Sequence, residues 1–201
     1  MGLKILNQSK TKMADLITLE NGNLKAQIYK GQLVDLSKNG VKYMHGGGKP
    51  EHLKSDADKL GWQKSEDVLF PVVGRVDLSG YKIKVGNSYF PQDQHGIARL
   101  IPFSVLDVDG DSISLIQKYN GDEIRNPKHK NPDDPNPQVV RSLPHIIEKY
   151  IKLQNDYLKA TFVVTNTSSK VMCDMFAWHP DFIAPPDGKD GVFETNHAQY
   201  S

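Results

Sequence analysis

The sequence has little of what marks several protein classes. Its 201 residues include one cysteine, Cys173, which excludes an internal disulfide and a thiolate zinc site. Lysine and arginine total 25 and aspartate and glutamate total 24, so the net charge of +1 argues against a nucleic-acid binder. No apolar run approaches the length of about 20 residues that a membrane span needs. We therefore expect one domain, in the cytoplasm, with neither nucleic acid nor membrane as a partner.

The N-terminal residues have no apolar core of the kind that a secretory signal requires. Met13 opens a segment that is typical of a domain start. We expect residues 1–12 to be an extension and residues 13–201 to form the single domain.

Short strands separated by turn residues dominate the rest of the chain. Residues 24–30 alternate apolar with polar side chains, which is the pattern of a half-buried strand. Turn residues that are typical of hairpins follow at four further places, namely Asn39-Gly40, Gly86-Asn87, Asp109-Gly110-Asp111 and Asn155-Asp156. No amphipathic helix is evident. The sequence predicts an antiparallel all-β protein.

One long segment interrupts this pattern. Residues 126–144 contain five prolines and many charged side chains. Proline cannot donate a hydrogen bond to a sheet, so the segment predicts a long surface loop and not a central strand.

Two of the seven histidines have distinctive neighbours. His95 is followed by Gly96, which lets the backbone approach a ligand, and by Arg99, whose guanidinium suits an oxygen-rich ligand. His179 lies between Trp178, an apolar face, and Pro180. On these residues alone each imidazole is either a packed structural group or a catalytic one. No two histidines have the spacing of a metal site, so no metal is expected.

Arg75 ends the apolar run Phe70-Pro71-Val72-Val73-Gly74-Arg75. It is either a surface residue at a strand end or an arginine delivered to the floor of a pocket. An apolar flank would strengthen its hydrogen bonds there.

Three of these segments, in this order, carry a resemblance to a known family. They are 68–75, then 90–99 with Phe90-Pro91 and Gln94-His95-Gly96-Ile97-Ala98-Arg99, and then Trp178-His179-Pro180-Asp181-Phe182. Together they resemble the aldose 1-epimerase (mutarotase) family, within it the LacX-like branch. The likeness extends over roughly residues 14–183.

The resemblance implies a galactose-mutarotase-like antiparallel β-sandwich and an enzyme that interconverts the α and β anomers of an aldose. Such a reaction needs one group that removes the proton of the anomeric hydroxyl and another that protonates the ring oxygen. By resemblance His179 protonates the ring oxygen, and His95 holds the sugar and polarises the same region. Arg75, Arg99, Gln94 and Trp178 would bind the sugar or an acidic group attached to it. No metal or organic cofactor is implied.

The sequence departs from the family in its C-terminal part. The family's base is a glutamate near the C-terminus, and Glu194 lies in a segment unlike that motif, so the base is not assigned. The last strands of the sandwich are expected to be missing, which would leave exposed sheet edges and allow a homo-oligomer to form through them. A fragment of a longer mutarotase is the expected explanation, and a shortened relative is the other. A non-catalytic module that binds a sugar or a sugar phosphate is the alternative function.

Overall fold

The computed structural model describes residues 16–44, 65–74, 82–172 and 174–183. The extension 1–12, Cys173, Arg75 and Glu194 lie outside these residues. Among the described residues, no helix has the length and apolar character needed to cross a membrane.

The described residues form β-strands joined by turns and loops. In chain order the strands are β1 (Ile17–Asn21), β2 (Leu24–Tyr29), β3 (Gln32–Lys38), β4 (Val41–Lys42), β5 (Glu66–Leu69), β6 (Lys82–Val85), β7 (Ser88–Pro91), β8 (Ser104–Asp109), β9 (Ser112–Tyr119), β10 (Ile124–Arg125), β11 (Val139–Val140), β12 (His145–Gln154), β13 (Tyr157–Asn166) and β14 (Ala177–Pro180). All strand pairs in the ladders are antiparallel. The predicted antiparallel all-β fold is confirmed.

Two four-stranded sheets form the main layers. The first has the order β1-β2-β3-β4 and the second has the order β13-β12-β9-β8. Each predicted hairpin turn joins two paired strands, because asparagine, aspartate and glycine accept the backbone angles that tight turns require. The alternation predicted for residues 24–30 is also present, with Leu24, Ala26 and Ile28 buried.

The core lies between the inward faces of these sheets. Ala26, Ile28 and Leu33 of the first sheet belong to the same buried cluster as Ile113 and Ile147 of the second. Strand β5 adds to it and pairs with β14 in a separate two-stranded ladder. Burial of this apolar area is the main stabilising contribution to the fold.

The segment 126–144 is mostly loop, as predicted, although it is not confined to the surface. Val139–Val140 forms a two-residue strand with β10, and Val140 is buried against Ile97 and Tyr119. Its apolar side chains close a second, smaller core.

Strands β8 and β13 are the outer strands of the second sheet. The ten residues of β13 pair with β12 on one side only in the part of the chain that the structure describes. Formation of an oligomer through such an edge stays a prediction.

A lysine interrupts the apolar face of β12. Lys149 is fully buried between Ile147 and Ile151. Its Nζ donates to Glu66 Oε1 and to the Gly31 carbonyl oxygen, each at 2.5 Å, and lies 4.6 Å from the centre of the Phe103 ring. A charge at such a site is tolerable because an opposite charge and further hydrogen bonds surround it.

Glu66 of β5 is equally well satisfied. Its Oε1 also accepts the backbone N–H of Leu33 at 2.8 Å, and its Oε2 accepts the indole N–H of Trp178. The ion pair therefore links β12, the β2–β3 turn, β5 and β14.

We expect Lys149→Met to lower the free energy of unfolding by about 3–5 kcal/mol, since it leaves the Glu66 carboxylate buried without its counter-charge. The double variant Glu66→Gln with Lys149→Met leaves no buried charge and should be more stable than Lys149→Met alone. Urea unfolding monitored by circular dichroism measures both. Glu66→Gln is also measured alone, and a loss of stability in the double variant equal to the sum of the losses in Lys149→Met and Glu66→Gln would contradict the coupling of the two buried charges.

A second buried polar group, His145, gives the fold a pH dependence. Its Nδ1 lies 2.8 Å from the Leu143 carbonyl oxygen, which only accepts, so Nδ1 carries the proton. Burial, chiefly by desolvation, lowers the pKa of His145 below its ordinary value. The ring is therefore neutral in the folded protein.

We expect the free energy of unfolding to decrease as the pH falls below the unfolded-state pKa of about 6.5. His145 then binds a proton in the unfolded chain, whereas in the folded protein it stays neutral. The loss continues down to the lower pKa of the folded state. His145→Asn keeps a side-chain N–H donor but does not titrate, so its unfolding free energy should change less between neutral and mildly acidic pH. Equal pH slopes for both proteins in urea titrations would refute the assignment.

Candidate functional site

The ladder of β5 and β14 positions His179. His179 lies directly opposite Asp67, and Trp178 opposite Val68. Hydrogen bonds from Asp181 N to Ser65 O and from Met175 N to Pro71 O, each 2.9 Å, extend the contact at both ends. His179 is exposed on one face of β14. Since neighbouring residues of a strand point to opposite faces, Trp178 points the other way.

A tight turn at the end of β5 positions His95. The Phe70 carbonyl oxygen accepts the backbone N–H groups of Ile97 at 2.9 Å and of Ala98 at 3.1 Å. The N–H of Gly96 closes the turn on Asp93 O at 3.0 Å. Strand β5 therefore contacts the elements that carry both histidines.

A pair of hydrogen bonds to Gly74 fixes the His95 ring. The His95 N–H donates to Gly74 O at 3.1 Å, and the Gly74 N–H donates to His95 Nδ1 at 2.9 Å. A backbone N–H only donates, so Nδ1 must be the unprotonated nitrogen. The neutral ring therefore carries its proton on Nε2 and offers it as a donor.

The surroundings of His95 keep the ring neutral. Its pKa is lowered from the ordinary value, first by burial and then by electrostatic interaction with Arg99, Lys128 and His179, while Asp93 acts in the opposite direction. The two imidazoles, far apart along the chain, are both carried by elements that contact β5 or its end, His179 by β14 and His95 by the turn at Phe70. A neutral His95 is suited to donating a hydrogen bond and not to releasing a proton.

The backbone of this turn is in an uncommon conformation. His95 has φ +68° and Gly96 has φ +76°. A Cβ atom added to Gly96 would lie 2.2 Å from the Phe70 carbonyl oxygen. Glycine is therefore required at position 96, whereas the imidazole at 95 is held in the left-handed region by the hydrogen bonds to Gly74.

Asp93 organises the charges around this turn. Its carboxylate is fully buried, pairs with the Arg99 guanidinium, and lies 3.4 Å from Lys128 Nζ. It also accepts the Gln94 N–H at 2.7 Å. Two cations share one carboxylate, so the described part of this cluster has a positive excess.

A cleft of about 430 Å³ lies beside the cluster. Lys30, Asp67, Arg99 and Phe103 are among the residues that line it, and the buried ion pair contributes to its wall. Its size is in the range of small-molecule sites. Arg99 lines the cleft and also acts on His95, whereas neither His95 nor His179 is among the residues that line it.

The structure brings together most of the residues that the sequence indicated. Gln94 Nε2 lies 3.2 Å from His95 Nε2, and Arg99 and His179 both act on the pKa of His95. Trp178 is placed differently, because its indole donates to Glu66 and packs on the core. Arg75 lies outside the described residues.

Similarity to known proteins is found in the structure and not in the sequence. No protein-family model matches the chain, and no curated protein matches its sequence. Among solved structures, a galactose mutarotase-like protein from Lactobacillus casei ATCC 334 superposes with a TM-score of 0.61 at 23% identity, over 87% of this chain and 52% of that one. A galactose mutarotase related enzyme from Lactobacillus acidophilus gives 0.62 at 23%, over 88% and 52%.

The fold is that of the galactose mutarotase-like proteins. A protein from Synechocystis sp. PCC 6803 also matches, with a TM-score of 0.62 at 16% identity over 86% of this chain and 55% of that one. The chain thus spans about half the length of each of the three solved proteins.

Two residues at the turn of this galactose mutarotase-like fold were not predicted from the sequence. Asp93 directly precedes Gln94-His95-Gly96, and an acidic residue beside a histidine motif was an available signal. Lys128 comes from the proline-rich segment, and no local pattern predicts that this segment reaches the turn.

We expect Gly96→Ala to lower the free energy of unfolding by at least about 2 kcal/mol, because the new methyl group meets a backbone oxygen and alanine is strained at this φ. The displacement of the turn that this methyl group causes should also weaken the hydrogen bonds between Gly74 and His95. Urea unfolding and the amide resonance of Gly74 report the two effects.

Gly110→Ala is a matched control, since a Cβ there has no heavy atom within 4 Å. It should leave stability nearly unchanged. Equal stability of the two variants would contradict the proposed close approach at Gly96.

Proposed function

We propose that the protein acts as an aldose 1-epimerase-like isomerase, interconverting the α and β anomers of an aldose by general acid–base catalysis. The observation that carries the proposal is the orientation of His95. Its Nε2–H is fixed as a donor by the Gly74 N–H at Nδ1, and its turn contacts the end of β5, the strand that pairs with β14 and so positions the exposed His179.

Ring opening of a pyranose needs a proton at the ring oxygen as the C1–O5 bond breaks. In the proposal His179 gives a proton to O5, while the proton of the anomeric hydroxyl passes to a general base that is not assigned in this chain, so that C1=O1 forms as C1–O5 breaks. Both transfers are reversed when the ring closes on the other face of C1. His95 donates a hydrogen bond from Nε2 to an oxygen in the same region, which stabilises the negative charge that develops there. Both anomers use the same groups, as reversibility demands.

Arg99 and Gln94 would orient the sugar. Arg99 lines the cleft and is held by buried Asp93, so its planar group is preorganised for hydroxyl or anionic oxygens. Gln94 lies at the Nε2 side of His95, where the sugar oxygen is expected. Arg75 is proposed for the same role on the family resemblance alone, and the position of Trp178 lends no support to a direct contact.

A second candidate is a module that binds a sugar or a sugar phosphate without turnover. Lys30 and Arg99 line the same cleft, and the positive excess around Asp93 favours an anionic substituent on the ligand.

We expect the protein to accelerate the equilibration of freshly dissolved glucose or galactose, measured by polarimetry or by NMR exchange spectroscopy. His179→Ala should lower the accelerated rate by about 10²–10⁴-fold, the usual contribution of a positioned acid or base. Lys159→Ala, an exposed substitution on β13, is the control and should retain the rate.

Equilibration at the rate of buffer alone would refute the isomerase proposal. Thermal-shift measurements with hexoses and hexose phosphates then test the binding module. A raised Tm without turnover supports the module, and an unchanged Tm with every sugar argues against both candidates.

A further inference from the structure

The side-chain amide of Gln94 lies between two hydrogen-bond donors. Its Nε2 is 3.2 Å from His95 Nε2, and its Oε1 is 3.4 Å from Lys128 Nζ. His95 Nε2 carries a proton because Gly74 occupies Nδ1, and an ammonium group has donors only. Both neighbouring groups need an acceptor, and the amide has only one oxygen, which faces Lys128.

We propose that Lys128 is a positioning residue that holds the Gln94 amide oxygen and thereby keeps the His95 Nε2–H available for an oxygen of the ligand. The inference rests on the proposed function and names how the same site is kept ready for its sugar. The ammonium group wins the competition because hydrogen bonds to a charged donor are about twice as strong as neutral ones.

Buried Asp93 keeps Lys128 in place. The Asp93 carboxylate lies 3.4 Å from Lys128 Nζ and also pairs with Arg99. The loop that carries Lys128 is anchored at both ends, by Asn126 N donating to Gln138 O at 2.9 Å and by Arg141 N donating to Pro91 O at 2.9 Å. The lysine therefore approaches the turn from a fixed loop.

With the oxygen on Lys128, the amide nitrogen of Gln94 faces the N–H of His95. Two donors in contact gain nothing from each other, so a ligand oxygen that displaces the amide gains a hydrogen bond without breaking one. Without Lys128 the Gln94 amide would rotate by about 180°, and its oxygen would accept a hydrogen bond from the His95 Nε2–H. The ligand would then have to break that internal hydrogen bond.

The first experiment compares Lys128→Met with the parent protein at about pH 8, where His95 is neutral. We expect the KM for aldose equilibration to rise by about 3- to 10-fold, the net value of one hydrogen bond, with a smaller change in kcat. Lys128→Arg keeps the charge and the donors and should resemble the parent. Lys130→Met removes an exposed lysine of the same loop and is the matched control. A KM unchanged by Lys128→Met would overturn the proposal.

The second experiment removes the competing oxygen. Adding Gln94→Ala to Lys128→Met should return the KM to that of Gln94→Ala alone, since the internal acceptor no longer exists. Additive losses in the double variant would show that Lys128 acts on the ligand directly and would overturn the positioning role.

The third experiment needs no sugar. In ¹⁵N-edited spectra the His95 Nε2–H proton should shift downfield and exchange more slowly with water in Lys128→Met, because it becomes hydrogen-bonded to Gln94. The same spectra for both proteins would overturn this inference even if epimerisation is observed. A changed spectrum in a protein that does not epimerise would support the inference about Gln94 and reject the enzymatic proposal alone.

Discussion

The buried contact between Lys149 and Glu66 is the constraint on which the arrangement of the sheets and the site depends. It connects the second sheet to β5 and to the turn between β2 and β3. Through the indole of Trp178 it also fixes β14, the strand that presents His179. Since a buried charge without its counter-charge costs several kcal/mol, these elements must come together as a unit.

The site follows from how β5 is used on two sides. Along its length β5 pairs with β14, and at its end the Phe70 carbonyl receives the turn that carries His95. One short strand therefore sets the distance between two histidines that are far apart in the sequence. The two cations near His95, Arg99 and Lys128, both contact the buried carboxylate of Asp93.

Local chemistry explains why the hairpins were predictable. Asn39-Gly40 and Asn155-Asp156 force a reversal whatever the rest of the chain does, and Asn39 and Asn155 have positive φ as such turns require. The histidine motifs were equally recognisable, since each is contiguous in the sequence. Ion pairs between distant segments leave no such trace. In the sequence Lys149 is only a polar residue at an inward-facing position of β12, and nothing nearby indicates that Glu66 lies opposite it. The contact between Lys128 and Asp93 depends on the course of a long loop, which the sequence does not predict.

The left-handed backbone at His95 has a consequence for how sequence and stability are related here. An imidazole at φ +68° costs about 1 kcal/mol relative to glycine, so folding alone would select the smaller residue at this position. The protein thus accepts a less stable native state in exchange for a ring at that point in space. Replacement by glycine would relax the main chain, but it would also remove the ring and the hydrogen bond that Nδ1 accepts from Gly74, so the side chain at this position is not set by backbone preference alone.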